Sequence, residues 1–247
     1  MNMKAILILS LLFATSLFGV EFNNGAIYSD RSATIISTQG NGVVTTNVIG
    51  AGRTILTEKT IVELTTKEKT VLHLGGVALL QVGKDSQFAI TLFDETITNL
   101  NDPPRKAEIG EYTLNMEFTS GEFAIIYPNK DTNFSVTVTT PLATYELKGG
   151  KYYFKVGKST MVFCLEGGLV VHGDRNSANV VEKGSLAIAV PFSDPSSGID
   201  DKIVTSFKRA KMEENEKFAA PILEVEKHWA DVGFFVIDGK ILGIKLK

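Results

Sequence analysis

Three histidines, one cysteine and a scatter of carboxylates are the residues here whose types could do chemistry. His73, His172 and His228 are candidate metal ligands or bases, because an imidazole titrates near neutral pH and binds transition metals. None has a histidine or cysteine partner at the close spacing of a zinc site. His73 and His172 could meet only through the fold, and ordinary strand or surface positions are the expectation. Cys164 sits between Phe163 and Leu165 with nothing alongside to lower its thiol pKa, so it reads as a small packed side chain. Glu122, Glu146 and Glu166 lie beside glycines or strand ends. A close pair of such carboxylates could cleave a glycosidic bond, but acids at these positions usually face solvent. Tyr145, Tyr152, Tyr153 and Phe154 could build an aromatic binding face. Alternation sends Tyr152 and Phe154 inward and leaves Tyr153 exposed. Asp194, Asp200 and Asp201 offer oxygen ligands for calcium without EF-hand spacing, so a solvated linker is expected. There is no G-x-S-x-G elbow and no phosphate loop; Gly50-Ala51-Gly52 lacks a following helix pattern and reads as a turn. The expectation is no catalytic residue, no cofactor and no metal.

The elements that would position these groups are strands. Phe134, Val136 and Val138 alternate with Ser135, Thr137 and Thr139, a period of two with one buried face. Thr140-Pro141 ends that run, since proline removes a ladder donor. Ala143, Tyr145 and Leu147 alternate next. Gly149-Gly150 permit a tight turn or a close backbone approach. Tyr152, Phe154 and Val156 make a third strand, and Met161, Phe163 and Leu165 a fourth. Gly167-Gly168 break it before Leu169-Val170-Val171. Upstream, Ala33 to Ile36, Val43 to Thr46, Ile61 to Leu64, Thr70 to Leu74 and Val77 to Val82 read as strands. Phe88, Ile90 and Leu92 alternate, as do Tyr112, Leu114, Met116 and Phe118. Ser120-Gly121-Glu122 reads as a turn, and Asn99 to Arg105 as a loop. The fold class predicted is mainly β: a solenoid-like or sandwich-like stack of short strands, with a C-terminal helical segment and β-hairpin.

The 247 residues are 44% hydrophobic and 21% charged, with a net charge of −3. That is enough chain for a sizeable core, and too little positive charge to track a nucleic-acid backbone. Lys4 followed by the apolar run Ala5 to Phe18 reads as a secretory signal peptide over 1–19. With one cysteine there is no internal disulfide. The expected location is extracytoplasmic, periplasmic or secreted, with no membrane anchor after signal cleavage. Residues 20–41 read as a lead-in, 42–192 as the β domain, 193–199 as a linker and 200–247 as a tail. In that tail, Asp200 to Asp231 carries a helical pattern with Ile203, Phe207 and Ala210 near one face. Pro221 kinks it or starts a second helix, and Ile222, Val225 and Trp229 continue the stripe. Asp238-Gly239 between apolar runs reads as a hairpin turn.

Between Gly121 and Val171 the motifs fall in an order that resembles the FecR-type domain. Thr140-Pro141 stands for its Thr-Pro segment. Lys148-Gly149-Gly150, then Tyr152 and Phe154, stands for its arginine-glycine-threonine element and aromatic strand, with Gly150 in place of the usual threonine. Glu166-Gly167, then Leu169 and Val171, stands for its glutamate-glycine element. A fainter likeness extends over Gly42 to Phe192. The resemblance implies a β-rich extracytoplasmic domain whose motif residues are structural. In the namesake sensors that domain receives a signal from an outer-membrane transporter. The function expected here is a non-enzymatic envelope module that senses, scaffolds or binds an envelope protein through a sheet edge or the tail helix. The alternative is a module that binds or cleaves a glycan.

Overall fold

Tyr112, Leu114, Met116 and Phe118 put four large side chains on one face of one strand, and all four are buried. In a computed structural model, the described residues are 25–39, 43–56, 60–98, 108–128, 133–172, 178–194, 199–229, 232–237 and 240–246. The expected signal peptide, both ends of the lead-in (20–24 and 40–41), the loop 99–105 and the Asp238-Gly239 turn lie outside them.

The chain runs β1 (Ala26–Ser29), β2 (Ala33–Gln39), β3 (Val44–Ile49), β4 (Arg53–Leu56), β5 (Thr60–Thr65), β6 (Thr70–Leu74), β7 (Ala78–Val82) and β8 (Gln87–Thr98). It continues through β9 (Glu108–Tyr127), β10 (Phe134–Thr139), β11 (Thr144–Val156), β12 (Thr160–His172), β13 (Ala178–Glu182), β14 (Ser185–Asp194) and β15 (Ile199–Arg209). Last come helix α1 (Met212–Glu226) and the hairpin β16 (Val232–Ile237) and β17 (Lys240–Leu246). The protein is mainly β, with one open sheet of many strands and a helix near its C-terminal end.

That sheet is folded over itself into two layers. One layer has the order β3-β2-β5-β8-β9-β10-β11-β12-β13, using the first halves of β9 and β11 and the second half of β12. The other has β4-β1-β6-β7-β9-β11-β12-β14-β15, using their remaining halves. Within the first layer β9 and β10 are parallel. Aromatic side chains from the two layers meet between them: Phe118 stacks on Phe123 at 3.9 Å between centroids, and Phe154 packs edge-on against Phe118 and Tyr145. Of the two architectures expected, the sandwich is the one formed.

Glycines let three strands pass from layer to layer. Gly121 (φ +116°) bends β9, Gly149 (φ +74°) and Gly150 (φ +156°) bend β11, and Gly167 (φ +85°) bends β12. The expected turn at Ser120-Gly121-Glu122 and break at Gly167-Gly168 are therefore corrected to corners within continuous strands. The ladder is taken up again beyond each bend, where Gly150 pairs with Gly167.

At β6 and β7 the second layer is buried on both faces, so these strands lack any inside-outside alternation. Helix α1 covers its outer face with Phe218, Ile222 and Val225, an i, i+4, i+7 stripe. Burying each of these contributes about 1.5–3 kcal/mol. The expectation of helix from Asp200 is corrected: β15 pairs with β14 along its length, and Asp194 pairs with Ile199 across the expected linker. Ile203-Val204-Thr205 is β-branched, and a neighbouring strand outweighs the weak i, i+4 spacing of Ile203 and Phe207. Pro221 lies inside a single helix. It removes one hydrogen bond, a loss that docking of the buried stripe offsets. Trp229 falls beyond the helix and is exposed.

Candidate interaction surface

The motif residues quoted above fall at two places, the turn at Thr140-Pro141 and the bend at Gly149-Gly150 and Gly167, and their work at both is architectural. The Thr140 hydroxyl donates to the Ala143 carbonyl at 3.0 Å and accepts the Ala143 N–H at 3.2 Å, closing the turn that contains Pro141. The Thr160 hydroxyl donates to Thr140 Oγ1 at 3.3 Å, which ties that turn to β12. A Cβ on Gly150 would overlap the Glu166 carbonyl oxygen, and one on Gly167 would overlap the Gly149 carbonyl oxygen. Tyr152 donates its phenol to the Gly168 carbonyl at 2.7 Å, and Phe154 fills the space between layers. Glu166 pairs with Lys151 at 3.1 Å, and Lys151 reaches Glu226 of α1 at 2.7 Å. The bend thus also pins the end of the helix.

The carboxylates are scattered, each with its own cation. Glu122 pairs with Lys155 at 2.9 Å, and Glu146 with Lys148 and, at 3.5 Å, with His172. The Lys155 hydrogen bond holds Glu122 below the usual carboxylate range, and Lys148 does the same for Glu146. Both stay ionised near neutral pH, which unsuits them as general acids. Tyr153 is corrected from exposed to buried: it is 6% exposed and stacks on Phe218, because α1 covers the strand. Tyr145 and Tyr152 are buried too, so this strand presents no aromatic row. His73 and His172 do not meet. His73 is buried against Tyr28 in the second layer, whereas His172 is exposed beside Glu146. Burial, with His228 adding to it, lowers His73 to about 4. Burial pushes the Cys164 thiol up to about 12, so it is inert at neutral pH. Among the described residues, no group of three or more His, Cys, Asp or Glu could hold a metal ion. The side chains of Asp194, Asp200 and Asp201 lie outside the described residues.

Glu95 is the residue the sequence reading missed. It is fully buried at one end of the sandwich, on β8, where it reaches across to the β6–β7 turn. Its Oε1 accepts the Gly76 N–H at 3.1 Å, and its Oε2 has no hydrogen-bond partner. Gly75 (φ +59°) lies so close that a Cβ there would strike the carboxyl. Beside it, the Tyr112 phenol donates to the Leu74 carbonyl at 2.9 Å, fastening the same turn. Burial raises Glu95 to about 7, against the partial opposition of the Gly76 hydrogen bond. Simple alternation hides this residue. A bulge between Ile90 and Leu92 shifts the register of β8. Leu92, expected inside, is therefore 40% exposed, and Phe93 and Glu95 turn inward instead.

Among the described residues, what remains uncovered is the outer face of the first layer and its two edges. Val44 and Val48 on β3 are 59% and 69% exposed, and Val180 on β13 is 70% exposed. An open cleft of about 550 Å³ beside the end of β3 is lined by Arg31, Thr34, Val48, Lys67 and Glu68 among others. Arg31 and Glu68 pair within it at 3.1 Å. The layer therefore offers strand edges and a polar cleft.

No protein-family model matches the chain, and no curated protein matches it. Among the solved structures that show similarity are two described as a "putative anti-sigma factor" from Parabacteroides distasonis. One is 13% identical with a TM-score of 0.42, and the match covers 61% of this chain and 61% of that one. The other is 11% identical with a TM-score of 0.38, covering 75% of this chain and 99% of that one. Likeness of this degree carries no argument about function.

Proposed function

We propose that this chain is an exported, non-enzymatic protein of the bacterial envelope, with a FecR-type domain that senses or scaffolds by holding another envelope protein. The observation that carries this reading is the unequal treatment of the two layers. Helix α1 is spent on covering the second layer, while the first layer keeps an uncovered face and short edge strands with exposed valines. Sheet edges of this kind accept an added strand. The tail helix is the poorer docking element, because its apolar stripe is occupied by the chain's own Tyr153 and Phe163. The glycan alternative loses its motivating features, since the tyrosines of β11 are buried and Glu122, Glu146 and Glu166 each pair with a lysine.

In-cell crosslinking of the tagged protein, followed by mass spectrometry of what co-purifies, tests the reading. A specific envelope protein is the expected result. Repeated recovery of the bait alone would overturn it.

A further inference from the structure

We infer that β3 pairs edge to edge with β3 of a second copy of this chain, antiparallel about a two-fold axis through Thr46. This goes beyond the function proposed above and does not depend on an envelope partner.

Among the described residues the folded sheet has four edge strands, and natural edges are commonly guarded by charge. Three of the four carry it. β15 holds Asp200, Asp201, Lys202, Lys208 and Arg209; β13 ends in Glu182; β4 begins with Arg53. β3, Val-Thr-Thr-Asn-Val-Ile, has no charge and no proline. Among the described residues it pairs with β2 alone.

Its sequence is also close to symmetric about Thr46. In an antiparallel pairing centred there, Val44 of one copy lies opposite Val48 of the other, Thr45 opposite Asn47, and Thr46 opposite itself. Both cross-strand valine pairs then fall on one face. The β2 register identifies that face. Val48, Thr46 and Val44 pair with Thr34, Ile36 and Thr38, whereas Ile49 and Asn47 pair with the buried Ala33 and Ile35. Val44, Thr46 and Val48 therefore point outward, and the two exposed valines of the strand would shield each other. Ile61, exposed on the same face beyond β2, extends the apolar strip. A second copy suits an uncharged edge, since self-pairing places every residue type against its own strand and would set any charge against its like. A short edge with a modest apolar strip gives a reversible dimer rather than a permanent one.

Sedimentation velocity of the purified full chain over a concentration series tests this. The expected result is a monomer–dimer equilibrium. Thr46→Lys, at an exposed position where folding is checked by circular dichroism, puts two ammonium groups on the axis and weakens the dimer about tenfold or more. Val180→Lys on the other edge of the same layer leaves it unchanged. The axis has its own signature. Residues directly opposite in an antiparallel ladder have Cα atoms within disulfide range, so Thr46→Cys oxidises to a disulfide-linked dimer far faster than Thr45→Cys. The buried Cys164 contributes little background. A chain that stays monomeric throughout, a dimer indifferent to Thr46→Lys, or a Thr46→Cys variant that links no faster than Thr45→Cys would overturn the proposal. Failure here, with a specific partner still captured in the cell, would leave the proposed function standing.

Discussion

Glu95 and His73 are buried ionisable side chains on different strands, and each links folding to pH with opposite sign. Glu95 is raised from 4.5 to about 7 in the folded chain. Between those values the folded state holds a proton that the unfolded state has lost. Its contribution is complete below pH 4.5 and is lost as pH rises through 7, a change of about 3 kcal/mol. His73 is lowered from 6.5 to about 4. Its contribution is complete above pH 6.5 and is lost as pH falls through 4. Urea titrations over pH 4 to 8 should separate the two. Glu95→Gln should gain stability relative to the parent as pH rises from about 4.5 to about 7. His73→Gln should abolish the part of the acid-side loss that His73 causes. If the Glu95→Gln and parent curves stay parallel across that range, Glu95 is not the buried acid described. Glu95 shows the limit of reading residues by period two: Phe88 and Ile90 were legible, and the bulge that follows them turned Leu92 out and Glu95 in.

At the scale of elements, the corners and the docked helix are the parts most open to test. Gly167 has a positive φ and no room for a Cβ, so Gly167→Ala should cost about 2–4 kcal/mol. Gly157, in the loop joining β11 to β12, has open space around it. Gly157→Ala should change stability by no more than about 0.5 kcal/mol. Equal costs for the two in chemical denaturation would mean that the bend at Gly167 is not obligatory. Phe218→Ala removes the ring that packs on both Tyr153 and Phe163, each at 5.7 Å. It should cost about 3 kcal/mol and make Tyr153 fluorescence more accessible to quenchers. The corner glycines were legible as special positions, since Gly149-Gly150 and Gly167-Gly168 interrupt otherwise apolar strands. Whether they ended strands or bent them was not, because a positive φ serves either purpose.

For the molecule as a whole, the two layers should differ in dynamics. β6 and β7 are central, buried on both faces and hydrogen-bonded on both sides. β3 and β13 each have one partner strand among the described residues. Hydrogen exchange should therefore be slowest in β6 and β7 and fast in β3 and β13. At concentrations where β3 self-pairs, protection should rise in β3 and remain unchanged in β13. Uniform protection across both layers would contradict the division into a covered and an open layer.

By itself, the sequence determined the β class, most strand centres and the apolar stripe at Ile222 and Val225, because these follow from local period and side-chain type. Thr70–Leu74 was legible to the residue as β6. The tertiary structure alone decided that β9, β11 and β12 belong to both layers, that β15 is a strand and that Tyr153 is buried. Each of these depends on a neighbour distant in the chain. β14 supplies the ladder that makes Ile199–Arg209 extended, and α1 supplies the cover that takes Tyr153 out of water. A local pattern specifies which face of an element is apolar; only packing decides what lies against it.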